Sequence, residues 1–281
     1  MSGITTPRRA LPRALPWRGL PALPNPRAVA RFVPWLLPLA LLALWQAGCS
    51  QGWIAEDTFP APGAVIAAAW RLTLNGELPA NLAVSFRRAV AGLLVGGSLA
   101  FVLGLFNGLS GVSERLTDTT VQMIRNIPNL ALIPLVILWF GIEEEARLIL
   151  SALGVFFPIY VNTFHGVRNV DAQLIEMGRS YGMTRRTMFR RIVLPGALPS
   201  IFVGLRYALG VMWLTLIVSE TIAASSGIGY MAMQAREFMQ VDVVVLAILI
   251  YAALGKLADT AVRLVERRTL AWNPAYRRDG T

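Results

Sequence analysis

Charged side chains that could act in binding are concentrated in one short segment of this chain, residues 176–195, EMGRSYGMTRRTMFRRIVLP. The segment combines Glu176 with five arginines, in a chain of 281 residues that is only 15% charged. The whole chain has one histidine, His165, and one cysteine, Cys49. One histidine and one cysteine are too few for a typical nucleophile–base pair or for a metal site with several His or Cys ligands. We expect docking chemistry here, with no catalytic residue and no metal site.

The residues around this segment have the pattern of two short amphipathic helices. Residues 171–182, DAQLIEMGRSYG, predict a first helix that ends at Gly182, because glycine readily adopts the left-handed conformation of a helix stop. A second helix is predicted to start at Met183, and Leu194-Pro195 is expected to turn the chain into the next apolar run. The apolar arc of the second helix is Met188, Phe189, Ile192 and Val193. Such a pair of helices either lies on anionic lipid or docks into a groove of a soluble partner.

The apolar content predicts an all-α polytopic membrane protein. Hydrophobic residues make up 55% of the sequence, and the mean hydropathy is +0.55. A helix needs about 20 apolar residues to cross a bilayer. We predict about six such transmembrane helices, at 32–50, 87–109, 119–140, 147–166, 198–222 and 241–262. The net charge of +10 is not gathered in a soluble basic domain, so we expect the lipid bilayer and no nucleic acid as partner.

Arginine placement predicts the orientation of these spans. Residues 1–31 hold six arginines, six prolines and no acidic residue, which predicts a disordered cytoplasmic tail before the first transmembrane helix. Further arginines gather at 167–206 and towards the C-terminal tail, 266–281, whereas the acidic run 143–145 falls on the opposite side. The N- and C-termini are therefore predicted to be cytoplasmic.

The second predicted span carries small residues at spacings of four. Gly92, Gly96, Ala100, Gly104 and Gly108 fall on nearly one face of a helix. Small residues on one face let another helix approach closely. The pattern predicts helix packing inside a bundle, which is a structural role.

Five positions of the charged segment resemble a family motif. Glu176, Gly182, Ile192, Leu194 and Pro195 match the E-A-A-x3-G-x9-I-x-L-P pattern of bacterial ATP-binding-cassette (ABC) importer permeases. The resemblance extends over about residues 60–276 and is strongest to the aliphatic sulfonate permeases, with RNIPNLALIPLVILWFGI at 125–142 fitting the same group. Where the family favours two alanines, this chain has Met177 and Gly178, and a glycine in a helix costs about 1 kcal/mol relative to alanine.

The resemblance implies a type I ABC importer permease fold, with a transmembrane domain at 79–265 and a candidate coupling loop at 171–195. It implies a second copy of the chain, two cytoplasmic ABC ATPase subunits and a periplasmic substrate-binding protein as partners, in the bacterial inner membrane. ATP and magnesium would be bound by the ATPase, and no cofactor by this chain, which lacks a phosphate-binding G-x4-G-K-[ST] loop. The cargo implied is an aliphatic sulfonate. The alternatives are taurine or nitrate/cyanate/bicarbonate and, from a different class, an ion-gradient-driven secondary transporter.

Roles within the candidate coupling loop follow from the same resemblance. Glu176 is expected to hold the first helix against the ATPase, and Gly182 to separate the two helices. Ile192, Leu194 and Pro195 complete the motif. The amphipathic pattern of the loop, and not the family motif, indicates Met183, Met188 and Phe189 as candidates for an apolar plug that contacts the ATPase.

Four residues are candidates for the path of an anionic substrate, because ionisable side chains at membrane depth are functional candidates by default. Arg87 and Arg88 lie at the predicted outer mouth, and Arg125 and Asn126 lie in the third predicted span. For each of them the alternative is a structural role, in which the side chain reaches the interface or pairs with another group. Glu220 is expected to be a structural partner or gate element, since its charge has the wrong sign for an anion site.

Overall fold

The chain is built from helices. The computed structural model describes residues 26–55 and 58–273, and no strand occurs within those ranges. The α-helices are α1 (Pro26–Ser50), α2 (Pro62–Leu74), α3 (Glu77–Leu109), α4 (Gly111–Arg125), α5 (Ile133–Phe140), α6 (Glu144–Arg168), α7 (Ala172–Ser180), α8 (Arg185–Met188), α9 (Leu194–Ala223), α10 (Ile228–Glu237) and α11 (Val241–Thr269). A 3-10 turn (Asn129–Leu132) precedes α5, and a π-helical turn (Phe189–Val193) joins α8 to α9.

Several of these helices are long and apolar enough to cross a membrane. In the described part of the chain there are four: α3, α6, the continuous helix Arg185–Ile222 and α11. A fifth span exists if α4 and the helical segment after it are taken together. The apolar part of α1, Leu36–Ser50, is shorter. The all-α membrane class is confirmed, with four to five membrane-length helices where the sequence predicts about six spans.

The third predicted span, 119–140, is not one straight helix. Its two halves, α4 and the segment Asn129–Phe140, meet at an angle of 85°. Pro128 lies at the break; it lacks a backbone N–H and disfavours the helical conformation of the residue before it. The polar stretch GVSERLTD, residues 111–118, forms the first turns of α4, where Ser110 caps the helix by accepting a hydrogen bond from the Ser113 N–H at 3.4 Å.

The two ends of the chain extend past the described residues. Helix α1 begins at Pro26, inside the segment 1–31 that the sequence predicts to be a disordered tail. Residues 1–25 of that segment lie outside the described ranges. At the other end α11 continues to Thr269, inside the predicted tail 266–281, and residues 274–281 also lie outside the described ranges.

The small-residue face of α3 packs on α6, which confirms the interpretation of the spacing-of-four pattern. A Cβ added to Gly96 would lie 2.2 Å from the carbonyl oxygen of Ala152, and one added to Gly104 would lie 2.8 Å from that of Tyr160. Ala100, between the two glycines, is fully buried. Glycine is required where the two backbones meet, because any larger side chain would push the helices apart.

A polar network fixes α3, α4 and α6 to one another at the end that leads into the candidate coupling loop. The buried Asn107 amide of α3 donates to Thr117 Oγ1 and to Tyr160 Oη, both at 2.8 Å. Tyr160 in turn donates to Asp118 Oδ1 at 2.7 Å, and Ser113 donates to the Asn107 carbonyl oxygen. Because every group in it is hydrogen-bonded, the network orders this end of the bundle without leaving an unsatisfied buried amide.

A substitution pair tests the close approach of α3 and α6. Gly96→Ala should destabilise the permease by about 1–3 kcal/mol, the usual cost of overpacking, because the new methyl group would meet the Ala152 backbone. Gly210→Ala is the control: no atom lies within 4 Å of an added Cβ there, and alanine favours helix over glycine by about 1 kcal/mol. Thermal unfolding in detergent should show a lower Tm for the first variant and no decrease for the second. Equal Tm values would contradict the close packing.

Candidate functional site

The first half of the candidate coupling loop is a capped helix with a glycine stop, as the sequence predicts. Asp171 caps α7 by accepting a hydrogen bond from the Gln173 N–H at 2.8 Å. Gly182 ends it with a φ of +70°, a left-handed conformation that strains other residues. The Gly182 N–H donates to the Arg179 carbonyl oxygen at 2.9 Å, which closes the last turn. The first helix and its break are therefore where the motif predicts them.

The second half is continuous with a membrane helix. Thr184 caps α8 by accepting a hydrogen bond from the Thr187 N–H at 3.3 Å, and α8 passes through the π-helical turn into α9 without a gap. The predicted turn at Leu194-Pro195 is wrong, since Pro195 lies in the first turn of α9. In a regular α-helix the proline ring would clash with the carbonyl of Arg191. The wider π turn, closed by the Leu194 N–H bonding to Phe189 O, accommodates the proline while keeping the helix intact.

The two halves of the loop pack on each other through a buried glycine. A Cβ added to Gly178 would lie 3.0 Å from Ile192 Cδ1, 3.5 Å from Met183 Sδ and 3.6 Å from Met188 Cε. The two methionines proposed as an apolar plug thus fold back onto α7 and are only partly exposed. Phe189, the third member of that set, packs on the apolar cluster at the start of α9. Their predicted contact with the ATPase stays a prediction.

A different set of apolar side chains points away from the loop. Leu174, Met177 and Tyr181 are 45%, 47% and 79% exposed, and they form the exposed apolar face of the loop. Glu176 is exposed beside them, and its carboxylate forms no hydrogen bond or ion pair within the part of the chain that the structure describes. This face was not predicted from the sequence. The i, i+3, i+7 spacing of its members was the available signal.

Arg88 lies in a buried polar cluster that joins five helices, α3, α6, α9, α10 and α11, near the opposite end of the bundle. The Arg88 cluster consists of Ser85, Arg88, Glu144, Glu220, Ser226, Gly229 and Tyr251. The guanidinium of Arg88 donates to Glu220 Oε1 at 2.8 Å, to Glu144 Oε2 at 2.8 Å and to the Ser226 carbonyl at 2.7 Å. Arg88 is 3% exposed and Glu220 is 1% exposed. Arg88 therefore has the pairing role that was the alternative to a substrate contact.

Glu220 is enclosed by hydrogen-bond donors. Its carboxylate accepts from Ser85 Oγ at 2.8 Å, from Tyr251 Oη at 2.9 Å and from the Gly229 N–H at 2.9 Å. A Cβ added to Gly227, whose φ is +108°, would lie 2.5 Å from the Glu220 carboxyl carbon, so Gly227 and Gly229 let the backbone between α9 and α10 pack closely over this group. A buried ion pair is tolerated when its remaining polar atoms are satisfied in this way. Glu220 is the structural partner that the sequence predicts.

The remaining candidates for the substrate path separate into two places. Arg87 is exposed and lines a recess of about 260 Å³ beside Arg88 and Glu144. Arg125 lies at the break after α4 and lines a larger cavity of about 390 Å³. Asn126 is exposed at the end of α4 and is not among the residues that line this cavity. The structure thus brings Arg87 and Arg88 together and places Arg125 elsewhere.

Fold and loop together define a class of membrane protein. Residues 92–271, more than half of the chain, match the family described as binding-protein-dependent transport system inner membrane component. The chain belongs to this family and is the permease of an ABC importer. This confirms the resemblance and excludes the ion-gradient-driven alternative.

Two relatives and one solved structure give a more detailed comparison. The chain is 57% identical to SsuC of Escherichia coli K12, named as an aliphatic sulfonates transport permease protein, over 91% of this chain and 97% of that one. It is 42% identical to the protein of the same name from Bacillus subtilis, over 86% and 87%. A crystal structure of an amino acid ABC transporter with histidines matches with a TM-score of 0.55 at 19% identity, over 71% and 97%. At that identity the match shows the shared fold, and the predicted fold is confirmed.

Family membership shows which functions belong to this subunit and which belong to its partners. The permease is the membrane component and is non-catalytic, and the nucleotide is bound by its ATPase partner. A substrate-binding protein is the second kind of partner, and the chain is a multi-pass protein of the inner membrane. These predictions are confirmed.

A double-mutant cycle tests the Arg88 cluster. Arg88→Met should destabilise the permease by about 3–5 kcal/mol, because it leaves the carboxylate of Glu220 buried without its counter-ion. Glu220→Met should have a similar effect. The double variant should lose less than the sum of the two, since no lone buried charge remains. Additive losses of stability, measured by chemical unfolding in detergent, would contradict the ion pair.

Proposed function

We propose that this chain is the permease of an ATP-driven importer for aliphatic sulfonates. The observation that carries the proposal is the identity with relatives named for aliphatic sulfonates transport, which extends over nearly the full length of both chains. Taurine and nitrate/cyanate/bicarbonate remain the competing cargoes within the same class of importer.

The proposed arrangement in the membrane follows arginine placement and helix order. Both termini and the candidate coupling loop lie in the cytoplasm, so the Arg88 cluster lies near the periplasmic side. The transmembrane domain corresponds to residues 79–265, preceded by a first transmembrane helix at 32–50. Two copies of the chain line one path, with two ATPase subunits below and the binding protein above.

The coupling of ATP hydrolysis to transport is proposed to run through the exposed apolar face of the loop. Leu174, Met177 and Tyr181 insert into a cleft of the ATPase, in the manner of a helix in a groove, and Glu176 offers its unpaired carboxylate at the edge. The helix stop at Gly182 and the packing of the second half of the loop on Gly178 fix the shape of the candidate coupling loop. The motif residues Ile192, Leu194 and Pro195 join it to α9, and Met183, Met188 and Phe189 support it from inside.

The candidates for the substrate path have unequal support. Arg88 is saturated by Glu144, Glu220 and Ser226, which favours a structural role. Arg87 is exposed next to it and is proposed to attract anions at the outer mouth. Arg125, with Asn126 as its neighbour in sequence, is the candidate deeper in the membrane.

Growth on defined sulfur sources tests the proposed cargo. A strain lacking this gene should fail to grow on an alkanesulfonate as sole sulfur source but grow on sulfate, and the wild-type gene should restore growth. Glu176→Lys should not restore it, because the reversed charge would oppose docking of the ATPase. Glu237→Lys, a charge reversal at an exposed site on α10, is the matched control and should restore growth.

Other results of the growth experiment would contradict either the proposed cargo or the proposed role of Glu176. Normal growth on the alkanesulfonate with failure on taurine or nitrate would replace the cargo while keeping the importer. Full rescue by Glu176→Lys would contradict the role given to this glutamate.

Binding of the ATPase tests the exposed apolar face directly. Tyr181→Asp should weaken the permease–ATPase complex by about 2 kcal/mol or more, the usual effect at an aromatic anchor of an interface. Phe238→Asp is the control, since Phe238 is 68% exposed and lies on the proposed periplasmic side. Co-purification of tagged permease with the ATPase should fall for the first variant only. An unchanged yield of ATPase with Tyr181→Asp would rule out this docking face.

A further inference from the structure

Arg125 is a cation without a protein partner in the described part of the chain, at the bend of a helix pair that is long and apolar enough to count as one span. It is the last residue of α4, at the break of the bent pair α4 and Asn129–Phe140. Its guanidinium forms no hydrogen bond or ion pair within residues 26–55 and 58–273. The side chain of Arg125 is exposed, and a charged side chain within a span needs water or a counter-charge, because burial in lipid is costly. The position therefore requires an aqueous cavity or an anion.

The cavity that Arg125 lines meets this requirement. Its volume is about 390 Å³, within the range of about 300–1,000 Å³ that is typical of small-molecule sites. The residues contributed by α6 lie near the middle of that helix and those contributed by α9 near the middle of the continuous helix, so the cavity lies about halfway across the bundle. It is therefore distant from both ends of these helices.

The lining of the cavity is chemically divided. Beside Arg125 there are side-chain amides and a phenol, from Asn129, Asn162 and Tyr207. The rest of the wall is apolar, formed mainly by Phe157, Val161 and Val211. The side-chain amide of Asn162 donates to the Pro158 carbonyl oxygen at 2.9 Å, and its side-chain oxygen has no partner in the described part of the chain.

We propose that this cavity is a binding site for the alkanesulfonate during its passage, an inference that rests on the proposed function. The sulfonate group carries one negative charge and accepts hydrogen bonds only, which matches the guanidinium of Arg125 and the amide N–H groups. The alkyl chain lies along the apolar wall. Inorganic sulfate can bind Arg125 and the amide groups, but it has no alkyl chain to contact the apolar wall. The lining therefore predicts that the site prefers the alkanesulfonate to sulfate.

Binding without the binding protein is the measurement that isolates this site. The permease–ATPase complex, purified without the binding protein, is titrated with butanesulfonate in a calorimeter. Wild type should bind, and Arg125→Gln should weaken binding by about 10- to 100-fold, the effect of losing a charge-assisted hydrogen bond. Arg125→Lys should recover part of the affinity. Arg115→Gln, at an exposed site on the same helix and outside the cavity, is the control and should bind like wild type.

Two further variables separate the chemistry from effects on folding. Basal ATP hydrolysis shows whether each variant assembles with the ATPase. If Arg125→Gln does not hydrolyse ATP, Val211→Phe replaces it as the test variant. Val211→Phe fills the apolar side of the cavity and keeps the charge of Arg125, and it should lower the affinity for butanesulfonate. Affinity should rise from methanesulfonate to butanesulfonate, and sulfate should bind more weakly than either. Equal affinity for sulfate and butanesulfonate, or unchanged binding by Arg125→Gln, would overturn the proposal.

The proposed function is tested separately in proteoliposomes that contain the complete transporter. Uptake of butanesulfonate by wild type together with no detectable binding in the calorimeter would refute the cavity while leaving the importer standing. Absence of uptake by wild type, with the binding protein loaded, would refute the sulfonate cargo itself.

Discussion

The continuity of one helix, from Arg185 to Ile222, is the constraint on which the rest of this structure depends. The candidate coupling loop is not a flexible appendage, because its second half is the first part of a membrane helix. The π-helical turn keeps that helix intact in front of Pro195, and the packing of Ile192 on Gly178 ties α7 to it. A force on the exposed apolar face therefore reaches α9 directly, since a helix transmits displacement along its axis.

The same helix connects the loop to both polar sites in the membrane. Tyr207, near its middle, lines the cavity with Arg125, and Glu220, near its far end, forms the buried pair with Arg88. Movement of α9 must therefore change the cavity, the Arg88 cluster or both. ATP and the loaded binding protein can drive transport only if each binds one arrangement of these contacts better than another. The close packing of α3 on α6 over Gly96 and Gly104 leaves no space for small, continuous shifts of the two helices. The bundle is therefore expected to switch between a few distinct arrangements.

The sequence was most informative where structure is decided locally. Apolar runs predicted the helices, the spacing of small residues predicted the face of α3 that packs on α6, and Gly182 marked the end of α7. A local rule misled at Pro195, which was expected to turn the chain but is accommodated by a π turn in a continuous helix, whereas Pro128 lies at a sharp bend. The outcome at a proline depends on whether neighbouring helices favour a straight or a bent path, which no local pattern contains.

Contacts between distant residues were the part that could not be predicted. Glu144 and Glu220 are 56 and 132 positions from Arg88, so nothing in the sequence linked them as its partners. The inward direction of Met183 and Met188 depends on the angle between α7 and α8, and that angle also exposes Tyr181. The departure at Gly178, expected only to loosen α7, is the position at which the two halves of the loop touch.

The most direct test of helix continuity compares uptake with ATP hydrolysis in proteoliposomes that contain the complete transporter. In Arg190→Gly/Arg191→Gly, two glycines at exposed sites weaken the helix between loop and membrane by about 2 kcal/mol, while Arg190→Ala/Arg191→Ala removes the same charges and preserves it. We expect the glycine variant to bind the ATPase and hydrolyse ATP but to import fewer alkanesulfonate molecules per ATP than the alanine variant. Equal ratios for the two variants would contradict transmission through this helix.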